Sequence, residues 1–140
     1  MATAKAVKIT SKRLTGNRGS KWITPTRRNA IYVRDGFACI YCNTARAEGI
    51  TLQLDHVKAA SEGGTDHESN LITVCGPCNS SKGARTMAAF SRSQGLSLSL
   101  IRANIKRNCA RKLDMLAARA IVKQEQAIKA HFGAGFKVRA

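Results

Sequence analysis

Leu52–Ala60, LQLDHVKAA, is an alternating apolar run that ends on an aspartate beside a histidine. In an extended chain Leu52, Leu54 and His56 share one face and Gln53 and Asp55 the other, so TLQLDHV reads as a strand. Further on, LITVC (Leu71–Cys75) is a second strand, apolar and β-branched, and SEGGTDHESN between them is a polar, glycine-bearing loop. GPCNSSKGARTMAAFSRSQG then reads as a tight turn leading into a helix that ends near Gly95. The expectation is a small strand–loop–strand–helix unit of the α+β class. Neighbouring strand residues point to opposite faces, so Asp55 and His56 can serve one site only where the strand bends or ends. The VKAASEGG that follows permits this.

A hairpin this small cannot bury a core of its own, and the cysteines suggest how it holds together. Cys39–Cys42 and Cys75–Cys78 are two Cys-x-x-Cys pairs of metal-ligand spacing, and residues 43–74 between them enclose both strands. Four thiolates around Zn2+ make a closed, structural site that contributes folding free energy directly. Two unrelated pairs or a redox couple are the other readings of this spacing. Cys109 reads as a small semi-buried residue. Upstream, TRRNAIYVRDGF reads as a short helix opened by Thr26, stopped near Asp35-Gly36 and burying Ile31, Tyr32 and Val33. Downstream, Ser97 to about Phe132 reads as one long Ala-rich helix. Its broken stripe of Leu98, Ile101, Ile105, Leu113, Leu116 and Ile121 either dimerises or folds back on the core.

At 140 residues with a formal net charge of +16, the chain is one compact domain whose self-repulsion calls for a polyanion. Residues 1–34 hold nine Lys or Arg and no acid, and the segment after Ser69 holds thirteen with Asp114 and Glu125. Six of the eight acids fall between Asp35 and Glu68, where the only basic residues are Arg46 and Lys58. Basic flanks around an acid-bearing centre fit double-stranded DNA gripped about a site that needs carboxylates, although a merely solvated cationic surface has the same composition. No apolar run is long enough to span a membrane, and MATAKAVKITSKRLTG lacks the apolar stretch of a secretory signal. A cytoplasmic setting, in a bacterium or a phage-infected host cell, is therefore expected, and reducing surroundings favour metal ligation over disulfides.

A hairpin followed by a helix gathers the end of the first strand (Asp55, His56), the start of the second (Asn70) and the helix start (Asn79). Asp55 and Asn79 offer hard oxygen atoms suited to Mg2+ or Mn2+. A neutral His56 suits proton abstraction from water, so activity is expected to climb as pH leaves the acid range. The plainer alternatives are a structural strand-end histidine, an Asn70 that only makes a turn, and an Asn79 that only caps the helix. His67 lies near enough to be another base or ligand, and His131 reads as a partner of the helix dipole. Lys82 and Arg85, about one turn beyond Asn79, are placed to hold a neighbouring phosphate.

The pattern LDHV…GG…NL…CxxCN…KG between Cys-x-x-Cys turns, over roughly Arg27 to Ala89, resembles the HNH endonuclease family. The resemblance implies a ββα-metal core stapled by a structural zinc on the four paired cysteines. It implies His56 as general base, Asp55 and Asn79 as ligands of a catalytic divalent cation, and Asn70 as the residue that orients the base and its loop. Asn79 stands where the name-giving pattern has histidine, a variant found within the family and one that disfavours nitrogen-seeking metals. The implied reaction is phosphodiester hydrolysis of DNA, leaving 5′-phosphate and 3′-hydroxyl ends. The expected organisation is a flexible basic arm (1–26), a nuclease core (27–95) in which Arg27 and Arg28 also contact DNA, and a basic helical extension (96–140). Packaging-associated phage nuclease, restriction enzyme and mobile-element nuclease all share this motif, with a homodimer or phage packaging proteins as candidate partners. The rival readings are a zinc-stabilised DNA-binding module without catalysis and, more distantly, an RNA-processing nuclease.

Overall fold

The structure is a computed structural model that describes residues 22–46 and 49–133. Most of the expected basic arm (1–21) and the terminal residues 134–140 lie outside the described residues. Helix α1 spans Pro25–Arg34, strand β1 Leu52–His56, strand β2 Leu71–Cys75, and helices α2 Gly76–Lys82, α3 Met87–Gln94, α4 Leu98–Cys109 and α5 Met115–Phe132. Short 3-10 turns at Ala60–Glu62 and Glu68–Asn70 shape the loop between the strands. No helix among the described residues is long and apolar enough to cross a membrane.

β1 and β2 pair antiparallel, with Leu52 opposite Cys75 and His56 opposite Leu71. All five residues of β2 are buried, because both faces of this two-stranded ribbon are covered. On one face Ile72 and Val74 join Cys39, Ile40, Tyr41, Phe90 and Ile101. On the other, Leu71 packs with Ile23 and Ile31, flanked by Trp22, Leu54 and Leu113. The ribbon is therefore the wall between two small cores, one supported by the cysteine cluster and the other by α1.

Helix ends follow local chemistry. Thr24, two residues earlier than the expected Thr26, opens α1: its hydroxyl accepts from Arg27 N at 3.2 Å and Pro25 takes the first helical position, where no donor is needed. Val33 is half-buried, while Ala30, Ile31 and Tyr32 carry the core face. The helix expected after the second cysteine pair is two helices, broken at Gly83 (φ +49), with Thr86 capping α3 through Ala89 N. The long C-terminal helix is likewise two. Asp114 accepts from Ala117 N at 2.9 Å and starts α5 afresh, so α5 packs against α1 and the extension folds back. Leu116, counted in the apolar stripe, is 78% exposed as a result of the break.

One buried ion pair locks α1 to the ribbon. Arg34 donates to both Asp35 oxygens at 2.7 and 3.0 Å, and to Leu71 O and Glu68 O, while Asp35 Oδ2 accepts from Thr73 N at 2.9 Å. Both charges are hydrogen-bonded, the condition under which a buried pair is tolerated.

Candidate active site and metal centre

The four cysteines converge. Their sulfurs lie within 4.8 Å of one another, and Cys42 Sγ is 3.8 Å from Cys75 Sγ. A tetrahedron with metal–sulfur bonds of about 2.3 Å has edges of about 3.8 Å, so the cluster fits a tetrahedral ion. The two turns are built alike: Cys42 N donates to Cys39 Sγ and Cys78 N to Cys75 Sγ. Asn43 takes a left-handed backbone (φ +63) to close the first turn, and Cys75 caps α2. Hydrogen bonds from the Cys39 and Cys78 thiols hold the Cys75 thiolate far down, to about 2. The same contact with Cys75 pushes Cys39 up to about 12, and Cys39 and Cys75 together push Cys78 up.

Asp55 and His56 sit at the open end of β1, and strand alternation sends them to different faces. Asp55 is buried. Its Oδ2 accepts from Tyr41 OH at 2.8 Å and lies 3.6 Å from Lys82 Nζ, and its Oδ1 accepts from His56 N at 2.9 Å. Burial first, then the adjacent Asp55 charge, raises the Tyr41 hydroxyl well above its ordinary range, so it stays a donor. Asn79 Nδ2 donates to Gln53 Oε1 at 2.7 Å, and Gln53 shares the Asp55 face of β1. This contact ties the start of α2 to the strand that carries Asp55. Lys82 already supplies positive charge to the Asp55 carboxylate, so any divalent cation there shares or displaces it.

His56 ends β1 with its ring 5.3 Å from the Trp22 ring and its Nε2 2.8 Å from Asp66 Oδ1. An ionised carboxylate only accepts, so a neutral His56 in this bond carries its proton on Nε2 and leaves Nδ1 basic. Asn70 fixes the loop that presents Asp66. It accepts from Lys58 N at 2.8 Å and donates to Lys58 O and Thr65 O at 3.0 and 2.8 Å. Gly64 completes the closure, since a Cβ there would overlap Lys58 O.

The other expected residues are scattered around this core. His67 caps the Glu68–Asn70 turn by accepting from Ser69 N, and its ring bonds Ser69 rather than His56. Arg27 pairs with Glu68 at 3.1 Å, Arg28 is half-buried on α1, and Arg85 donates to Ser93 Oγ. Sequence reasoning missed Asp66, Tyr41 and Gln53 as neighbours of the site. A chain so short of acids contained one signal for Asp66: each acid in its centre was worth matching to a partner.

Comparison with known proteins gives a consistent account. Residues 39–94 match the family model described as HNH endonuclease. The CRISPR-associated endonuclease Cas9 of Actinomyces naeslundii is 39% identical over 62 residues, which are 44% of this chain. The match spans only 6% of the length of that curated relative. No solved structure matches.

Proposed function

We propose, on the premise that residues 39–94 belong to the HNH endonuclease family, that this chain is a metal-dependent endonuclease hydrolysing phosphodiester bonds of double-stranded DNA. The observation that carries this reading is the imidazole at the end of β1, tied through Nε2 to Asp66 and so left with a basic Nδ1. A lone structural histidine has no need of a carboxylate contributed by a separately braced loop.

In this mechanism His56 Nδ1 takes a proton from the attacking water. Asp66 holds the tautomer and steadies the imidazolium that forms, Trp22 limits rotation of the ring, and Asn70 keeps the loop in register. Asp55 and Asn79 would hold Mg2+ or Mn2+, which when bound neutralises charge growing on the scissile phosphate and the leaving 3′ oxygen. Cys39, Cys42, Cys75 and Cys78 would hold Zn2+, whose filled coordination sphere makes it a staple rather than a participant. Release of Lys82 from Asp55 on cation binding would free its ammonium for a neighbouring phosphate. Arg85, Arg27 and Arg28 are further candidates for backbone contact.

The test is supercoiled plasmid incubated with Mg2+ or Mn2+. The wild type is expected to give nicked or linear product, and His56→Ala to give none while retaining its zinc and helix content. A wild type that binds plasmid yet never cuts it with either ion would leave a zinc-stabilised DNA-binding module instead.

A further inference from the structure

A cavity of about 280 Å3 lies between the end of α1, the first cysteine turn and α4. None of its lining residues belongs to β1, the Lys58–Asn70 loop or α2, so it is distinct from the cutting site proposed above. One wall is Asn104, Arg107 and Asn108, which follow the i, i+3, i+4 spacing of one face of α4, with Arg111 in the turn just beyond the helix. Such a face turned towards the body of a protein is ordinarily apolar. Here the apolar side of α4, with Ile101, Ile105 and Cys109, packs on the zinc-side core, and a second, polar side lines a concavity.

The charge there is uncompensated. Arg34, in the floor, is cancelled by Asp35 at 2.7 Å with both side chains fully buried. Arg107 and Arg111 have no carboxylate partner among the described residues. Their contacts are neutral: Arg107 donates to Asn104 Oδ1 at 2.7 Å, and Arg111 to Asn108 Oδ1 and Arg34 O at 3.2 and 3.3 Å. Carboxamide and carbonyl oxygens thus hold two guanidinium groups at the cavity without neutralising them, and each retains further N–H groups for a ligand. Asn43 adds a carboxamide from across the gap.

We propose that this cavity is an oxyanion pocket that receives a backbone phosphate of bound nucleic acid, away from the bond that is cut. The inference rests on the DNA-cleaving reading and adds a second contact to it. Guanidinium donors in a fixed fork suit phosphate oxygens. The lining has no aromatic ring on which a base could stack, which argues against a free nucleotide.

The test is fluorescence anisotropy of a short labelled duplex with the full zinc-loaded chain, titrated with KCl and without added Mg2+ or Mn2+. Arg107→Gln should lower the slope of log affinity against log salt by about 1, since each phosphate contact releases nearly one counterion. Asn43→Asp, which keeps the left-handed backbone tolerable, should weaken binding by setting a carboxylate opposite the phosphate. Arg102→Gln and Lys106→Gln change the charge of α4 equally at exposed positions outside the cavity and should move the slope less. An unchanged slope for Arg107→Gln in a chain that still binds and cuts plasmid overturns the pocket and spares the nuclease. An equal drop for Arg102→Gln, or saturation of the cavity by inorganic phosphate with duplex affinity unaffected, also overturns it. A wild type with no affinity for the duplex sinks both readings together.

Discussion

Replacing Asp66 by alanine isolates what the carboxylate does for His56. A hydrogen bond to an ionised group is worth about 1.5–3 kcal/mol when both partners are withdrawn from water. Asp66 has a side chain 48% exposed against 17% for His56, so solvent screens roughly half of this. About 0.8–1.5 kcal/mol remains, which is roughly a four- to tenfold loss in the chemical step. The assay is single-turnover nicking of plasmid at saturating protein, with duplex affinity measured alongside. Asp66→Ala should lose about four- to tenfold in rate with binding intact, because Trp22 still packs against the ring. Asp66→Asn, whose amide oxygen can still accept from Nε2–H, should recover part of the rate. Full activity in Asp66→Ala refutes the positioning role, and so does a rate loss that Asp66→Asn fails to relieve and that comes with lost duplex affinity, which would indicate damage to the loop.

Three further outcomes are expected. Cys75→Ser, or chelation of the metal, should abolish zinc binding and most of the helix signal in circular dichroism, because the cluster lies inside the larger core. Asp35→Ala should destabilise the fold by about 3–5 kcal/mol in urea titration, because it strands the Arg34 guanidinium in a site with no solvent access and removes the acceptor of Thr73 N. Gly64→Ala should cost about 1–3 kcal/mol and depress cleavage more than DNA binding, since the new methyl overlaps Lys58 O and the loop carrying Asp66 must open.

The parts of the fold legible in the sequence are those set by short-range constraints. Cysteine pairs with two residues between them form tight turns wherever they bind metal, and the observed cluster has that form. β2 coincides with LITVC because five consecutive residues are buried, leaving no alternation to misread. Helix breaks were not legible. The Ala-rich period runs on through Ala110–Asp114, and only the side chain of Asp114, folded onto Ala117 N, restarts the count. Nor does periodicity tell which polar side chain of SEGGTDHESN turns inward. Asp66 and His67 are neighbours, yet the 3-10 turn sends one to His56 and keeps the other as a cap.

Pairing the few acids with their cations extends this argument to binding. Asp35 holds Arg34, Asp55 holds Lys82, Asp66 holds His56 and Glu68 holds Arg27, whose hydrogen bond keeps the Glu68 carboxyl below its ordinary value. Arg34 and Lys82 are thereby committed inside the fold, and each could meet a phosphate only by giving up a carboxylate. Arg107 on α4 and Arg111 in the turn after it have no such partner among the described residues. A phosphate reaching them displaces counterions rather than an internal ion pair, which is the cheaper exchange. The salt dependence of DNA binding should therefore originate more on α4 than around Asp55. The central acids organise the site, and the excess positive charge beyond it is left available to a polyanion.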